Sequence, residues 1–213
     1  MSETGQPSPP GGLQRRLRAW GERLQSRRRG RGRGARAAAA QRLYAEMVAE
    51  ARSRRFYAEL GVPDTPEGRF EMIALQVALL LRRLRAEGAA GRALGQALFD
   101  LMFADMDAAL REIGVGDLGV GRQVKRLAGQ FYARLAALDR ALGGAEEGAP
   151  EALAAALAPV WQGGRPPAPG QVGALAAYLR ARERALAALP GAALFEGALG
   201  APAPGADVRV AAK

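Results

Sequence analysis

Three aspartates, Asp100, Asp105 and Asp107, fall within eight residues of one another, and carboxylates that close are the raw material of a divalent-cation site. They sit in a stretch with helical periodicity, and the helix separates them. Asp100 and Asp107 share an outer polar face, while Asp105 points roughly 140–160° away from both. Three carboxylates on two faces of one helix do not close around one ion, so no metal is expected here. Arg111 follows Asp107 by one turn, the favourable order for an i,i+4 ion pair. Asp105 instead falls inside an arc of about 200° made by Leu94, Leu98, Phe99, Leu101, Met102, Phe103 and Met106. An ionised carboxylate there needs a partner. Arg69 and Arg126 are the first candidates, in an ion pair that sets the register of neighbouring helices.

The glycines of Gly114-Val-Gly-Asp-Leu-Gly119 spell the spacing of a dinucleotide-binding loop. That loop must follow a strand and open a βαβ unit, whereas this one follows a helix in a chain with no visible strand. It reads as a connection between two helices, with Gly114 past one helix end and Asp117 near the start of the next. Free N–H groups there, with Lys125 nearby, could hold a carboxylate. Histidine and cysteine are absent. Their absence removes disulfides, Cys or His metal sites, Cys nucleophiles, Ser-His-Asp triads and imidazole bases. Hydrolysis by an Asp/Glu pair is the one enzymatic reading left open, and the expectation is a protein without catalytic residues, cofactor or small-molecule substrate.

The elements that would position these residues are all helical. β-branched residues are scarce and no stretch alternates with period two. Ala38 to Leu60 forms a first body helix, bent near Ser53. Pro63 and Pro66 make a turn, and Asp64 or Thr65 caps the next helix with Pro66 at its first position. That helix runs to about Glu87 and ends at Gly88 to Gly91. Phe70, Ile73, Val77, Leu80, Leu81 and Leu84 share one face of it, and Met72, Leu75 and Leu79 a nearly opposite one. Arg69, Gln76 and Arg83 form one polar lane between the faces, Glu71 and Arg82 the other. A helix apolar on two sides lies between layers, so this one belongs at the bundle centre. A third helix spans Arg92 to Ile113. A fourth runs from Gly121 to about Leu142, with Val120, Val124, Leu127, Phe131, Leu135, Leu138 and Leu142 in one stripe. Gly143 to Pro150 is a linker, and weaker helices follow at Glu151 to Trp161 and Gln171 to Leu189. The fold class is all-α: a compact helical bundle over residues 37–190, with a basic, largely flexible arm at 1–36 and a flexible tail at 191–213.

The net charge of +10 is concentrated in the arm and first helix. Residues 1–58 hold 14 Arg and 4 Glu, and residues 59–213 hold 17 basic and 17 acidic residues. Within the arm, Leu13, Leu17, Trp20 and Leu24 recur at helical spacing, with Arg15, Arg16, Arg18 and Arg23 on the other faces. Arg27, Arg28, Arg29, Arg31, Arg33 and Arg36 lie in an Arg/Gly stretch that opposes helix formation. Such an arm suits ribosomal or other RNA phosphates or an anionic membrane surface, and a solvated tail or transit-like leader has the same composition. The longest apolar run, Met72 to Leu81, is ten residues, half of the roughly twenty a bilayer requires. No secretory apolar segment follows the arginines.

Two blocks carry a further signal. Gly61-Val-Pro-Asp-Thr-Pro-Glu-Gly-Arg-Phe-Glu-Met72 opens the central segment, and Ala97-Leu-Phe-Asp-Leu-Met-Phe-Ala-Asp-Met-Asp-Ala-Ala-Leu-Arg-Glu-Ile-Gly-Val-Gly-Asp117 closes it. This succession, over about residues 43–142, resembles the ubiquinol–cytochrome c chaperone family, whose members assist assembly of the cytochrome b subunit of the respiratory bc1 complex. The resemblance implies a non-catalytic protein that binds newly made cytochrome b, near the ribosome or the inner membrane. The implied location is the cytoplasmic face in a bacterium or the matrix side in a mitochondrion. Carried over residue by residue, it marks Gly68, Arg69, Phe70, Glu71, Asp100, Phe103, Asp105, Asp107, Leu110, Arg111, Glu112, Gly114, Gly116, Asp117 and Lys125. The expected mechanism is a groove between bundle helices with Arg69, Glu71 and Arg83 as charged lips, receiving an apolar client segment. The Arg/Gly arm and the Ala/Pro-rich C-terminal half lie outside the resemblance.

Overall fold

The computed structural model describes residues 32–112, 114, 116–143 and 150–200. The described residues are helical or irregular, with no strand among them. Helix α1 covers residues 32–51, starting within the expected tether, because an alanine-rich helix once nucleated propagates outward even through Gly34. The bend expected near Ser53 is a break, after which α2 runs Arg54–Ala58. Thr65, not Asp64, caps α3 (Pro66–Arg85): its hydroxyl accepts from Gly68 N–H at 3.2 Å, with Pro66 opening the helix. Asp64 pairs instead with Arg69 at 2.6 Å. Gly68 has no room for a side chain, since a β-carbon there would collide with the Pro63 carbonyl.

Helix α3 is the centre of the bundle. Every residue from Phe70 to Leu80 is buried, so both apolar faces are covered, by α4 (Gly88–Glu112), α5 (Asp117–Leu142), α7 (Pro169–Ala188) and the 3₁₀ turn Ala158–Trp161 that ends α6 (Pro150–Leu157). Residues 88–91, expected to end α3, are the first turn of α4. A single glycine suffices for the corner: Gly88 takes φ +61, open to glycine at no steric cost. Gly91 then lets α4 lie against the end of α3, because a β-carbon would strike the Leu84 carbonyl. Gly114 (φ +84) returns its N–H to Arg111 O at 3.0 Å, closing α4 as a glycine past a helix end does.

On α5 the expected stripe faces inward, with Val120, Leu127, Phe131 and Leu138 buried. Of the tail expected at 191–213, residues 201–213 lie outside the described residues, and the described part is docked. Gly191–Glu196 form α8, with Leu194 and Leu199 in the core and the Glu196 carbonyl held by Arg42 of α1 at 3.0 Å. Two leucines among alanines are a faint periodic signal, and burial against α1 decides their state.

Two polar clusters cross the interior. The Arg134 guanidinium joins the Glu71 carboxylate to the Ala156 carbonyl, tying α5 to α3 and α6. Gln76 donates to the Tyr178 hydroxyl, which donates to Glu50 at 2.7 Å, and Glu50 also pairs with Arg182 at 2.8 Å.

Candidate partner-binding surface

The residues marked by the sequence divide between interior and surface. Phe70 is core. Glu71 is not a lip: it is buried, and burial pushes its carboxyl above the usual range while the charge and hydrogen bond of Arg134 pull it back. Arg83 is not free to meet a client either. It pairs with Glu87 at 2.7 Å and donates to the carbonyls of Leu186 at 3.0 Å and Leu189 at 2.8 Å, covering the end of α7. Helices α5 and α7, with the end of α6, close over the lanes that looked open beside α3. Arg69 alone of the three is exposed.

The α4 and α5 residues remain outside. Asp100 is exposed and accepts from Gln96 at 2.8 Å. Asp107 and Arg111 form the anticipated pair at 2.7 Å. Asp105 does not pair with Arg69 or Arg126. It is exposed and accepts from the Tyr44 hydroxyl of α1 at 2.8 Å, while Arg126 donates to Gln123 at 2.6 Å. Burial of Tyr44 and its bond to Asp105 together raise the phenol far above its ordinary range. The arc containing Asp105 was too wide for one neighbour: α1 covers part of it and leaves the carboxylate at the edge. Lys125 is exposed. Asp117 is the first residue of α5, and Gly116 occupies the cap position before it. No group of carboxylates among the described residues could hold a metal.

The α4–α5 hairpin also carries an aromatic ledge that pattern reading missed. Phe99 and Phe103, one turn apart on α4, lie 4.5 Å apart between centroids with their rings tilted at 42°. Across the hairpin Phe99 meets Phe131 at 5.6 Å and Tyr132 at 5.5 Å. Phe131 is buried beneath, whereas Tyr132 is 58% exposed. The available signal was symmetry, since Phe99 and Tyr132 stand nearly equidistant from the Gly114–Gly116 turn and must meet in an antiparallel pair. An apolar groove of about 610 Å³ opens between α6 and α7, lined by Leu153, Ala154, Pro169, Val172 and Ala176 with Glu151 and Arg180. It contains none of the residues marked from the sequence.

Of the arm, Arg15, Arg16, Arg18, Trp20, Arg27, Arg28, Arg29 and Arg31 lie outside the described residues; Arg33 and Arg36 are in the first turns of α1. No described helix is long and apolar enough to cross a membrane.

The fold and these surfaces define an all-α bundle around one apolar core, crossed by buried ion pairs, with an aromatic ledge and charged residues on the α4–α5 hairpin. Residues 58–201 match the ubiquinol-cytochrome C chaperone family, and the chain belongs to that family. The match extends well past residue 142 and takes in α6 to α8, so the Ala/Pro-rich C-terminal part is not outside the likeness as expected. The crystal structure of the Cbp3 homolog from Brucella abortus is similar, with 40% identity, a TM-score of 0.69, and coverage of 82% of this chain and 93% of that one. No curated protein matches the chain.

Proposed function

We propose that this protein is a non-catalytic assembly chaperone of the respiratory bc1 complex and that its client is newly made cytochrome b. The observation that carries the reading is family membership across residues 58–201, supported by 40% identity to a Cbp3 homolog. The surface supports it too. An exposed aromatic backed by other rings can anchor a protein interface, and the client contacts are proposed on the α4–α5 hairpin: exposed Tyr132 over the half-buried Phe99 and Phe103, with Asp100, Asp105, Asp107, Arg111 and Lys125 on the same two helices and Asp117 at the start of α5. Arg69, at the start of α3, completes the proposed charged rim. The arginine arm brings the body to its place of work, an anionic inner-membrane surface or the ribosome.

Affinity capture from solubilised membranes tests the client. Cytochrome b is expected with the intact chain and reduced with Tyr132→Ala; its absence from the intact capture removes the assignment. A second reading, an RNA- or ribosome-associated basic binding protein, is favoured by the placement of the whole net charge in residues 1–58. It predicts RNA affinity that falls steeply with salt and persists when the hairpin aromatics are replaced.

A further inference from the structure

The two ends of the bundle carry different surfaces. At one end the α3–α4 corner, the ends of α5 and α7 and the N-terminal half of α1 converge on α8. Arg83 donates to the Leu186 and Leu189 carbonyls, and Arg85 pairs with Asp139 of α5 at 2.8 Å. Gly191 lies so close to Glu87 that a β-carbon there would strike its carboxylate. At its other terminus α8 reaches α1, where a β-carbon on Gly197 would stand 3.1 Å from the Ala39 Cα. Helix α8 therefore caps this end of the bundle. Leu194 is its buried anchor, whereas Phe195 is 38% exposed. Tyr132 and Phe195 are the large hydrophobic side chains exposed among the described residues, and the proposed client surface uses only the first.

Exposed arginines stand around the cap: Arg33 in the first turn of α1, Arg85 in the last of α3, Arg92 near the start of α4 and Arg140 in the last turn of α5. Most acids at this end are engaged. Glu87 pairs with Arg83, Glu183 with Arg82, and Asp139 with Arg82 and Arg85, while Glu196 is exposed on α8. None of residues 32–38 is buried, so α1 runs on past α8 by about 10 Å. It leads there into residues 1–31, which hold eight arginines, two glutamates and the Leu13, Leu17, Trp20, Leu24 series. The opposite end, where Pro63 packs on Gly164, exposes Glu59, Asp64, Glu67 and Glu112 beside Arg69 and Arg165. Charge thus gives the body a direction.

We propose that the α8 end is a membrane-docking face: the cap lies on an anionic phospholipid surface, Phe195 enters the interfacial layer, and the surrounding arginines and the arm meet the headgroups. An apolar ring within a basic patch suits such an interface, because apolar burial and charge attraction act together there. RNA phosphates would engage the arginines alone, whereas Phe195 and the leucines and Trp20 of the arm call for an apolar phase as well. The proposal rests on the membrane reading of the arm and adds an orientation to it. The turn at Pro63 and the α4–α5 turn point away from the bilayer, with the aromatic ledge between the two ends.

The full chain is floated with vesicles of phosphatidylcholine, alone or mixed with phosphatidylglycerol. Binding is expected to the anionic vesicles and to fall with salt. Phe195→Ala, Arg92→Gln and Arg140→Gln are each expected to weaken it about fivefold, and Arg165→Gln at the far end to leave it unchanged. Because the arm alone could carry vesicle binding, a second readout follows the body. Phe195→Cys supplies the only thiol in a cysteine-free chain and takes a nitrobenzoxadiazole dye. Its emission is expected to rise about threefold or more on anionic vesicles as the position leaves water, while the same dye at Arg165→Cys stays dim. A dye silent at position 195 on bound protein, or binding indifferent to all three substitutions, would overturn the docking face and leave the arm's membrane role standing. No binding to anionic vesicles would overturn both, and RNA binding in its place would favour the second reading.

Discussion

Glu71 with Arg134 and Asp107 with Arg111 are both acid–arginine pairs, yet they occupy opposite regimes. The first is sealed between α3, α5 and α6; the second lies on the open side of α4, with both side chains 40% or more exposed. In the interior each charge has lost its water and is tied to its partner, so removing one leaves the other stranded. On the surface water replaces a lost partner at little cost. The same residue types therefore fix α3, α5 and α6 to one another in the interior and stay hydrated on the outer face of α4.

The contrast breaks most sharply at Arg134. Arg134→Ala should lower unfolding free energy by about 3–5 kcal/mol in urea titration, whereas Glu71→Leu with Arg134→Met should recover most of that loss; equal damage from both would mean that packing, not stranded charge, sets the cost. Next in size is Tyr132→Ala, expected to weaken capture of cytochrome b by roughly 2 kcal/mol, about thirtyfold, while its lost ring contacts with Phe99 and Phe131 lower the fold's stability by about 1 kcal/mol. Loss of folding would place Tyr132 with the interior. Thr65→Ala, removing the α3 cap, should cost about 1 kcal/mol, read from the thermal midpoint. Asp107→Asn should change stability by at most about 0.5 kcal/mol.

Glu71 sharpens the comparison through pH. Its folded carboxyl is raised by burial, Arg134 notwithstanding. The folded state thus holds that proton more tightly than the unfolded one, so the contribution is full below the ordinary glutamate range and declines as pH rises through the folded value. Glu71→Gln should remove this slope from the stability curve, whereas Asp107→Asn should leave it in place. An unchanged slope in Glu71→Gln would assign it to another group.

Much of the scaffold was legible because it depends on neighbours in sequence. The two apolar faces of α3, its start at Pro66, the end of α4 at Gly114, the inward stripe of α5 and the Asp107–Arg111 pair all follow from helix period, capping and i,i+4 spacing. The site was less legible. Nothing near Asp105 in sequence points to Tyr44, which reaches it from 61 residues away, and nothing near Arg83 points to the α7 carbonyls it covers. The corner at Gly88 and the docked α8 were misplaced for a related reason. Glycine and alanine are weak local signals, and close approach of two elements settles what they do.

The amino-acid order alone determined that the chain is helical, that it has no imidazole or thiol chemistry, that its charge is gathered at one end, and that α3 is apolar on both sides. These are properties of composition and of periodicity within a few turns. Tertiary structure decided which charges are buried, which aromatic stands in the open, and that Glu50 of α1 meets Arg182 of α7. Burial is set by what arrives from distant parts of the chain, and it converts a charged side chain from a surface group into a structural one.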